Sequence, residues 1–156
     1  MKNTCATLGF ALLVTTFAFA ADASKILNAA AQVVQKMASS NQIPSGFLNQ
    51  ASCVAVIPKM TKAGFIVGGK HGNGAVSCRT SSGWSAPAFI SMTGASVGLQ
   101  AGAAEQDIVL LMNDQGKQEL EGGHWDLGAE AVATGPTGET ASSTSTGWKA
   151  PVLSYS

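Results

Sequence analysis

The residues best suited to covalent chemistry lie around Ser96. The segment Gly94–Gly98 reads G-x-S-x-G, the pattern in which a serine nucleophile stands exposed on a sharp turn between a strand and a helix. Asp107 and His124 follow in the order that a triad of this kind requires. However, Ser96 opens an alternating, glycine-rich segment typical of a strand, and 156 residues are too few for the sheet of such hydrolases. We therefore expect no enzymatic activity.

Two further patterns that could hold a ligand have simpler interpretations. Gly72-Asn73-Gly74 is half of a dinucleotide-binding fingerprint, but no helix follows it and no βαβ unit surrounds it, so it predicts a hairpin turn. His71 and His124 are far apart in sequence and have no cysteine or carboxylate at ligand spacing. We therefore expect no metal ion and no cofactor.

The N-terminus has the features of a signal peptide. Lys2 precedes an apolar run, Leu8–Val14, and Ala18-Phe19-Ala20 fits the small-x-small cleavage pattern. Cleavage after Ala20 would leave residues 21–156 as a single domain, and it predicts a secreted or periplasmic location. Two cysteines, Cys53 and Cys78, would remain. In an oxidising compartment they are candidates for a disulfide that would stabilise the fold by about 3 kcal/mol.

Charge is unevenly distributed along the chain. Only 12% of the residues are charged and 46% are hydrophobic, which is typical of a chain that buries a core. Between Ala21 and Thr80 the basic residues outnumber a single acid, whereas all the other acids follow Thr80. This asymmetry indicates a basic face, although charges scattered over a solvated surface would produce it equally well. The cations lack interleaved aromatic residues, so we expect no nucleic-acid binding.

The elements that would position these residues run from helices to strands. Apolar side chains at helical spacing predict an amphipathic helix over Ala21–Ser39, and Pro44 suits the first turn of a short helix that runs to Ala51. Asp114–Glu121 predicts a short acidic helix. The predicted strands are Cys53–Pro58, Ala63–Gly69, Ala75–Arg79, Trp84–Thr93, Ser96–Gly102, Gln106–Asn113, Trp125–Gly135 and Trp148–Tyr155. This order predicts an α+β fold, with N-terminal helices packed on a strongly curved, mainly antiparallel, glycine-rich sheet or partial barrel.

The chain resembles the SYLF domain family, a lipid-binding module that is also described as actin-binding in fungal members. The resemblance rests on an ordered set of segments that covers nearly the whole chain after Ala20. These segments are Ala51–Lys59, Lys62–Gly69, Gly72–Gly74, Trp84–Phe89, Ser96–Gly102, Asp107–Asn113, Leu127–Gly128 and Gly135–Gly138. The chain departs from the family at Glu139, where an arginine usually follows Gly-Pro-x-Gly. It also departs at Ser156, beyond which the family usually continues with a glycine-rich strand.

The resemblance implies non-enzymatic binding of anionic phospholipids or phosphoinositides at a membrane surface. The residues expected to contact the headgroup are Lys59, Lys62, Lys70 and Arg79. The N-terminal helix would either lie in the membrane interface or simply cover the sheet. The helix residues expected to contact the membrane are Lys25, Ile26, Leu27, Val33 and Lys36.

Two further expectations concern the sheet. The pair Cys53 and Cys78 resembles secreted bacterial members of the family. A simple three-strand meander would place these cysteines on non-adjacent strands, so a disulfide would imply a different strand order. An alternative function is an envelope protein-interaction or structural module, in which a partner strand pairs with the C-terminal edge of the sheet.

Overall fold

The computed structural model of the chain describes residues 11–64, 67–97, 102–122, 132–135 and 148–156. These ranges hold three helices and seven strands. The helices are α1 (Ala11–Ser39), α2 (Ser45–Gln50) and α3 (Asp114–Glu121), and the strands are β1 (Cys53–Gly64), β2 (Val67–Thr80), β3 (Gly83–Trp84), β4 (Ala88–Val97), β5 (Gly102–Met112), β6 (Val132–Thr134) and β7 (Val152–Tyr155). The predicted α+β class, with a mainly antiparallel sheet, is confirmed.

The strand order is β3-β2-β1-β5-β7-β6, and β4 pairs with β2 along the same edge as β3. The four strands β4-β2-β1-β5 have the spatial order of a Greek key, because β5 returns to lie beside β1. Although β2 lies between them, β4 is also in contact with β1. In a flat sheet these two strands would be roughly 9–10 Å apart, so the sheet curls strongly. Within the described strands it does not close into a barrel.

Helix α1 is longer than predicted. It begins at Ala11, so residues 11–20, which the sequence assigns to a signal peptide, continue the predicted helix. Cleavage after Ala20 stays a prediction. The helix ends where Asn41 adopts a left-handed backbone conformation, with φ 56°. There the N–H groups of Gln42 and Ile43 donate to the carbonyl of Met37, at 3.0 and 3.2 Å. Within the described residues, no helix is long and apolar enough to cross a membrane.

The apolar core forms two clusters on the two faces of the sheet, because successive residues of a strand point to opposite faces. On the helix-covered face, α1 and α2 contribute buried side chains such as Met37 and Phe47, which pack against the sheet. On the other face, side chains from the neighbouring strands β1, β2, β5 and β7 form the second cluster. That cluster comprises Cys53, Ala55, Ile57, Met60, Val76, Leu110, Met112 and Val152.

The segment Gly72-Asn73-Gly74 is not the predicted hairpin turn but the middle of β2. Here the glycines instead allow β1 to approach β2 closely. A Cβ on Gly72 would lie 2.5 Å from Cγ2 of Ile57, and a Cβ on Gly74 would lie 2.0 Å from the carbonyl oxygen of Val56. The chain reverses between Gly64 and Val67, inside the predicted strand Ala63–Gly69.

The prediction that Pro58 ends the first strand is also wrong. β1 continues through a bulge between Ile57 and Met60, where it has one more residue than β5. Within this bulge Lys59 has a left-handed backbone with φ 52°. Its N–H donates to Oδ1 of Asp107 at 3.0 Å. The bulge therefore accommodates Pro58, and β1 stays paired with its neighbouring strands beyond it.

A disulfide joins Cys53 to Cys78. Cys53 opens β1 and is paired in register with Cys78 near the end of β2, at a Cα–Cα distance of 4.0 Å. The two strands form one long hairpin rather than part of a three-strand meander. The expectation that a disulfide requires a different strand order is thereby met: the cysteines lie directly opposite each other.

The remaining elements follow the predictions more closely. The acidic helix Asp114–Glu121 is confirmed, and the Asn113 side chain caps it by accepting from the N–H of Gly116 at 3.0 Å. The predicted buried strand Gln106–Asn113 is the inner part of β5. The predicted strand Trp84–Thr93 is divided between β3 and β4. Residues 98–101 and 125–131, also predicted as extended, lie outside the described ranges.

Candidate cationic site

Lys62 and Lys70 form a pair of cations on neighbouring strands. They lie directly opposite each other in the β1–β2 register, so both side chains project from the same face of the sheet. Lys62 Nζ donates to Oε1 of Gln106 on β5 at 2.6 Å. Lys70 lies opposite Gly94 on β4, and a Cβ on Gly94 would lie 2.8 Å from Cε of Lys70. Gly94 therefore leaves room for the Lys70 side chain.

This lysine pair has no acidic partner within the described residues. The two ion pairs there join Asp22 to Lys25 and Lys117 to Glu121, away from the pair. Both lysines are half-buried, and like charges directly opposite on a sheet repel each other. Lys62 reaches towards β5 and Lys70 towards β4, so the pair presents two cations on one face of the sheet. Sequence reasoning named both lysines but missed Gln106, whose only signal was that it lies on the same strand face as the half-buried Ile108 and the buried Leu110.

The other two predicted headgroup residues lie elsewhere. Lys59 is exposed in the β1 bulge, beside the carboxylate of Asp107 that its own backbone N–H contacts. Arg79 lies nine residues beyond Lys70 on β2, about 30 Å away along an extended strand. The structure therefore brings Lys62 and Lys70 together and separates Arg79 from them.

Arg79 attaches α2 to the sheet. Its Nε donates to the carbonyl of Ala51 at 2.8 Å, and its Nη2 donates to the carbonyls of Asn49 and Leu48 at 2.9 and 3.3 Å. Its guanidinium carbon lies 4.5 Å from the centroid of the Trp84 ring. These carbonyls are at the C-terminal end of α2, where a cation is favourable. The contacts assign Arg79 a structural role.

Replacing Arg79 by lysine is expected to lower the free energy of unfolding by about 2 kcal/mol, because a lysine cannot reproduce the planar fork of hydrogen bonds or the ring contact. Urea unfolding followed by circular dichroism measures this change. The exposed Lys25 provides a control, since K25A should alter stability by no more than about 0.5 kcal/mol. Equal stability of R79K and the native chain would contradict the structural role.

The predicted membrane-contacting residues of α1 divide into three groups. Lys25 and Lys36 are exposed. Ile26 and Leu27 are half-buried and line apolar grooves between α1 and the sheet, of about 790 and 580 Å³ respectively. Val33 is buried in the core against the sheet, so its predicted contact with a membrane does not fit this structure. Most of this helix face therefore covers the sheet.

The residues considered for catalysis do not assemble into a described site. Ser96 lies within β4 rather than on a strand-to-helix turn, Asp107 accepts the backbone N–H of Lys59, and His124 lies outside the described ranges. Within those ranges no group of three or more His, Cys, Asp or Glu residues could hold a metal ion. The fold defines the class of protein: a small α+β domain with a mainly antiparallel sheet.

Comparisons with known proteins identify the family. The family model described as "Ysc84: Las17-binding protein actin regulator" matches residues 93–156. LAS seventeen-binding protein 3 of Saccharomyces cerevisiae is 37% identical over 141 residues, which cover 86% of this chain and 30% of that protein. SH3 domain-containing YSC84-like protein 1 of Mus musculus is 33% identical over 120 residues, which cover 74% of this chain and 35% of that protein. The chain carries a Ysc84/SYLF family domain.

The chain spans about a third of the length of these relatives. No solved structure matches it. The family model is described as an actin regulator, and the two relatives are named as a LAS seventeen-binding protein and an SH3 domain-containing protein; none of these names is that of an enzyme. The predicted secreted or periplasmic location is wrong, because these yeast and mammalian relatives are not secreted proteins.

Proposed function

We propose that this domain binds anionic phospholipid or phosphoinositide headgroups at a membrane surface, without catalysis. The observation that carries the proposal is the cross-strand pair Lys62–Lys70, two half-buried cations that form no ion pair with any described residue. A phosphate group carries negative charge and several acceptor oxygens, so it would be attracted to both cations and could accept hydrogen bonds from an ammonium group. Gln106 would hold the Lys62 ammonium in place beside the phosphate.

Replacing both lysines by glutamine is expected to weaken binding to anionic vesicles by about thirtyfold, because each basic residue near such a surface contributes about 1 kcal/mol. Co-sedimentation with phosphatidylcholine vesicles, with and without phosphatidylserine or a phosphoinositide, measures the change. The matched control is K25Q/K36Q, which removes the same charge from exposed positions of α1.

The proposal requires K25Q/K36Q to bind more tightly than K62Q/K70Q. A larger loss of vesicle binding for K25Q/K36Q would place the binding surface on α1, which is the sequence-based alternative in which the helix lies in the membrane interface. If the native chain fails to bind any of these vesicles, the proposal as a whole is overturned.

A second candidate function is a protein-interaction module, favoured by the open edges of the sheet. Among the described strands, β4 and β6 each pair on one side only. The edge expected at the C-terminal strand is occupied, since β7 lies between β5 and β6. A partner strand would therefore add to β4 or β6. Recovery of one stoichiometric protein partner, with no dependence on lipid, would favour this function.

A further inference from the structure

At one end of the sheet, the described strand ends carry no charged residue. Here β1 ends at Gly64 and β2 begins at Val67, while β4 ends at Val97 and β5 begins at Gly102. The registers Gly64↔Gly102 and Val67↔Val97 place these four strand ends side by side. We call them the hairpin end. The sequence from Ala63 to Gly69 and from Gly94 to Ala104 contains no charged residue.

Val67 is the most exposed large hydrophobic residue of the described chain, with 70% of its surface accessible. A single exposed valine is common on protein surfaces and needs no explanation by itself. Val67 matters here because it lies at the hairpin end. Its described neighbours are Val97, its partner on β4, and small residues of β1 and β2, and they leave most of its side chain exposed.

The first cations behind this end are the lysine pair. Lys62 lies two residues from Gly64, and Lys70 lies three residues from Val67. At about 3.3 Å per residue, the ammonium-bearing positions are therefore roughly 7–10 Å behind the end of the sheet. This spacing matches the depth of about 5–10 Å to which apolar groups enter the boundary between headgroups and acyl chains.

We infer that the domain docks end-on, with the hairpin end inserted into the interface of an anionic bilayer and Val67 among the upper acyl carbons. The inference rests on the proposed function, since Lys62 and Lys70 supply the attraction to the phosphates. It adds an orientation: the strands stand along the bilayer normal, and α1 does not lie in the membrane plane. The occupant is a bilayer surface, because a free phosphate would gain nothing from the apolar end.

Replacing Val67 by serine is expected to weaken binding to phosphatidylserine-containing vesicles by about tenfold without changing the charge of the protein. The matched control is F89S, which removes the next most exposed large apolar side chain from β4, where 52% of Phe89 is accessible. F89S should bind like the native chain. Thermal unfolding of both variants checks that they are folded.

A tryptophan at position 67 gives a second, independent readout. V67W should bind more tightly than the native chain, and brominated phospholipids should quench its added fluorescence, whereas F89W should show no added quenching. If K62Q/K70Q loses binding while V67S and F89S bind alike, the headgroup site stands and end-on docking is overturned. Failure of the native chain to bind anionic vesicles would instead overturn the proposed function on which end-on docking rests.

Discussion

Replacing Gly72 by alanine is expected to lower the free energy of unfolding by about 3 kcal/mol, because the added methyl group would overpack a filled space. Its Cβ would lie 2.5 Å from Cγ2 of Ile57 and 3.2 Å from Cα of Met60. Ile57 and Met60 are fully buried, so neither can move aside into solvent. Equilibrium urea unfolding of the variant measures the loss.

Gly69 in the same strand provides the control for this change. A Cβ there would meet only the carbonyl oxygen of Gly94, at 3.9 Å, so G69A should alter stability by no more than about 0.5 kcal/mol. The double variant G72A/I57A should cost less than the sum of its single changes, because I57A removes the methyl group that clashes. Strict additivity, or equal losses for G72A and G69A, would mean that Gly72 does not lie against β1.

Removing the Cys53–Cys78 disulfide is expected to cost about 3 kcal/mol in the chain-entropy account, because the bond closes a loop with a sequence separation of 25 residues. The doubly substituted chain C53A/C78A should therefore unfold at lower urea concentration than the native chain. The register keeps the two positions opposite each other without the bond, so the variant should retain the native circular dichroism spectrum.

Reduction separates this effect from the substitutions themselves. Dithiothreitol should destabilise the native chain towards the stability of C53A/C78A and should leave that variant unchanged. Substitution of Cys5, the third cysteine, should not alter the response to reduction. If the reductant shifts both proteins equally, the bond contributes nothing to folding stability.

Patterns that depend on neighbouring residues predicted the helices and the inner strand well. The end of α1, the acidic helix α3 and the buried part of β5 follow from apolar spacing and capping residues, which act within a few residues of each other. The α+β class follows from their order along the chain. Each of these features depends on local chemistry, so the sequence carries it directly.

The errors arose where one residue type serves two physical purposes. Glycine permits positive φ in a turn, but it also permits close approach because it has no side chain, and Gly72 and Gly74 are used for the second purpose. Proline usually ends a strand, yet Pro58 lies within a bulge, and β1 stays paired on both sides of it. Which of its roles a glycine or proline has cannot be predicted without knowing the strand that packs against it.

The candidate site illustrates the same limit. The basic residues were evident from composition, but their grouping depends on register, which joins Lys62 to Lys70 and leaves Arg79 at the other end of β2. A turn predicted at Gly72–Gly74 does not place Lys62 opposite Lys70, so local patterns could not predict this pair. Arg79 could not be recognised as an anchor for α2, because its acceptors are carbonyls rather than side chains.

The Greek-key order has a consequence for the nascent chain. β1 is synthesised before both of its partners, and β5 begins only at Gly102. At a synthesis rate of about 5–20 residues per second, one edge of β1 therefore stays unpaired for seconds. Unpaired edges invite association between chains, and proline, lysine and bulges are the usual protection against it. β1 carries all three, in Pro58, Lys59 and Lys62. These residues and the bulge thus protect the first strand of the sheet against association with other chains while synthesis continues.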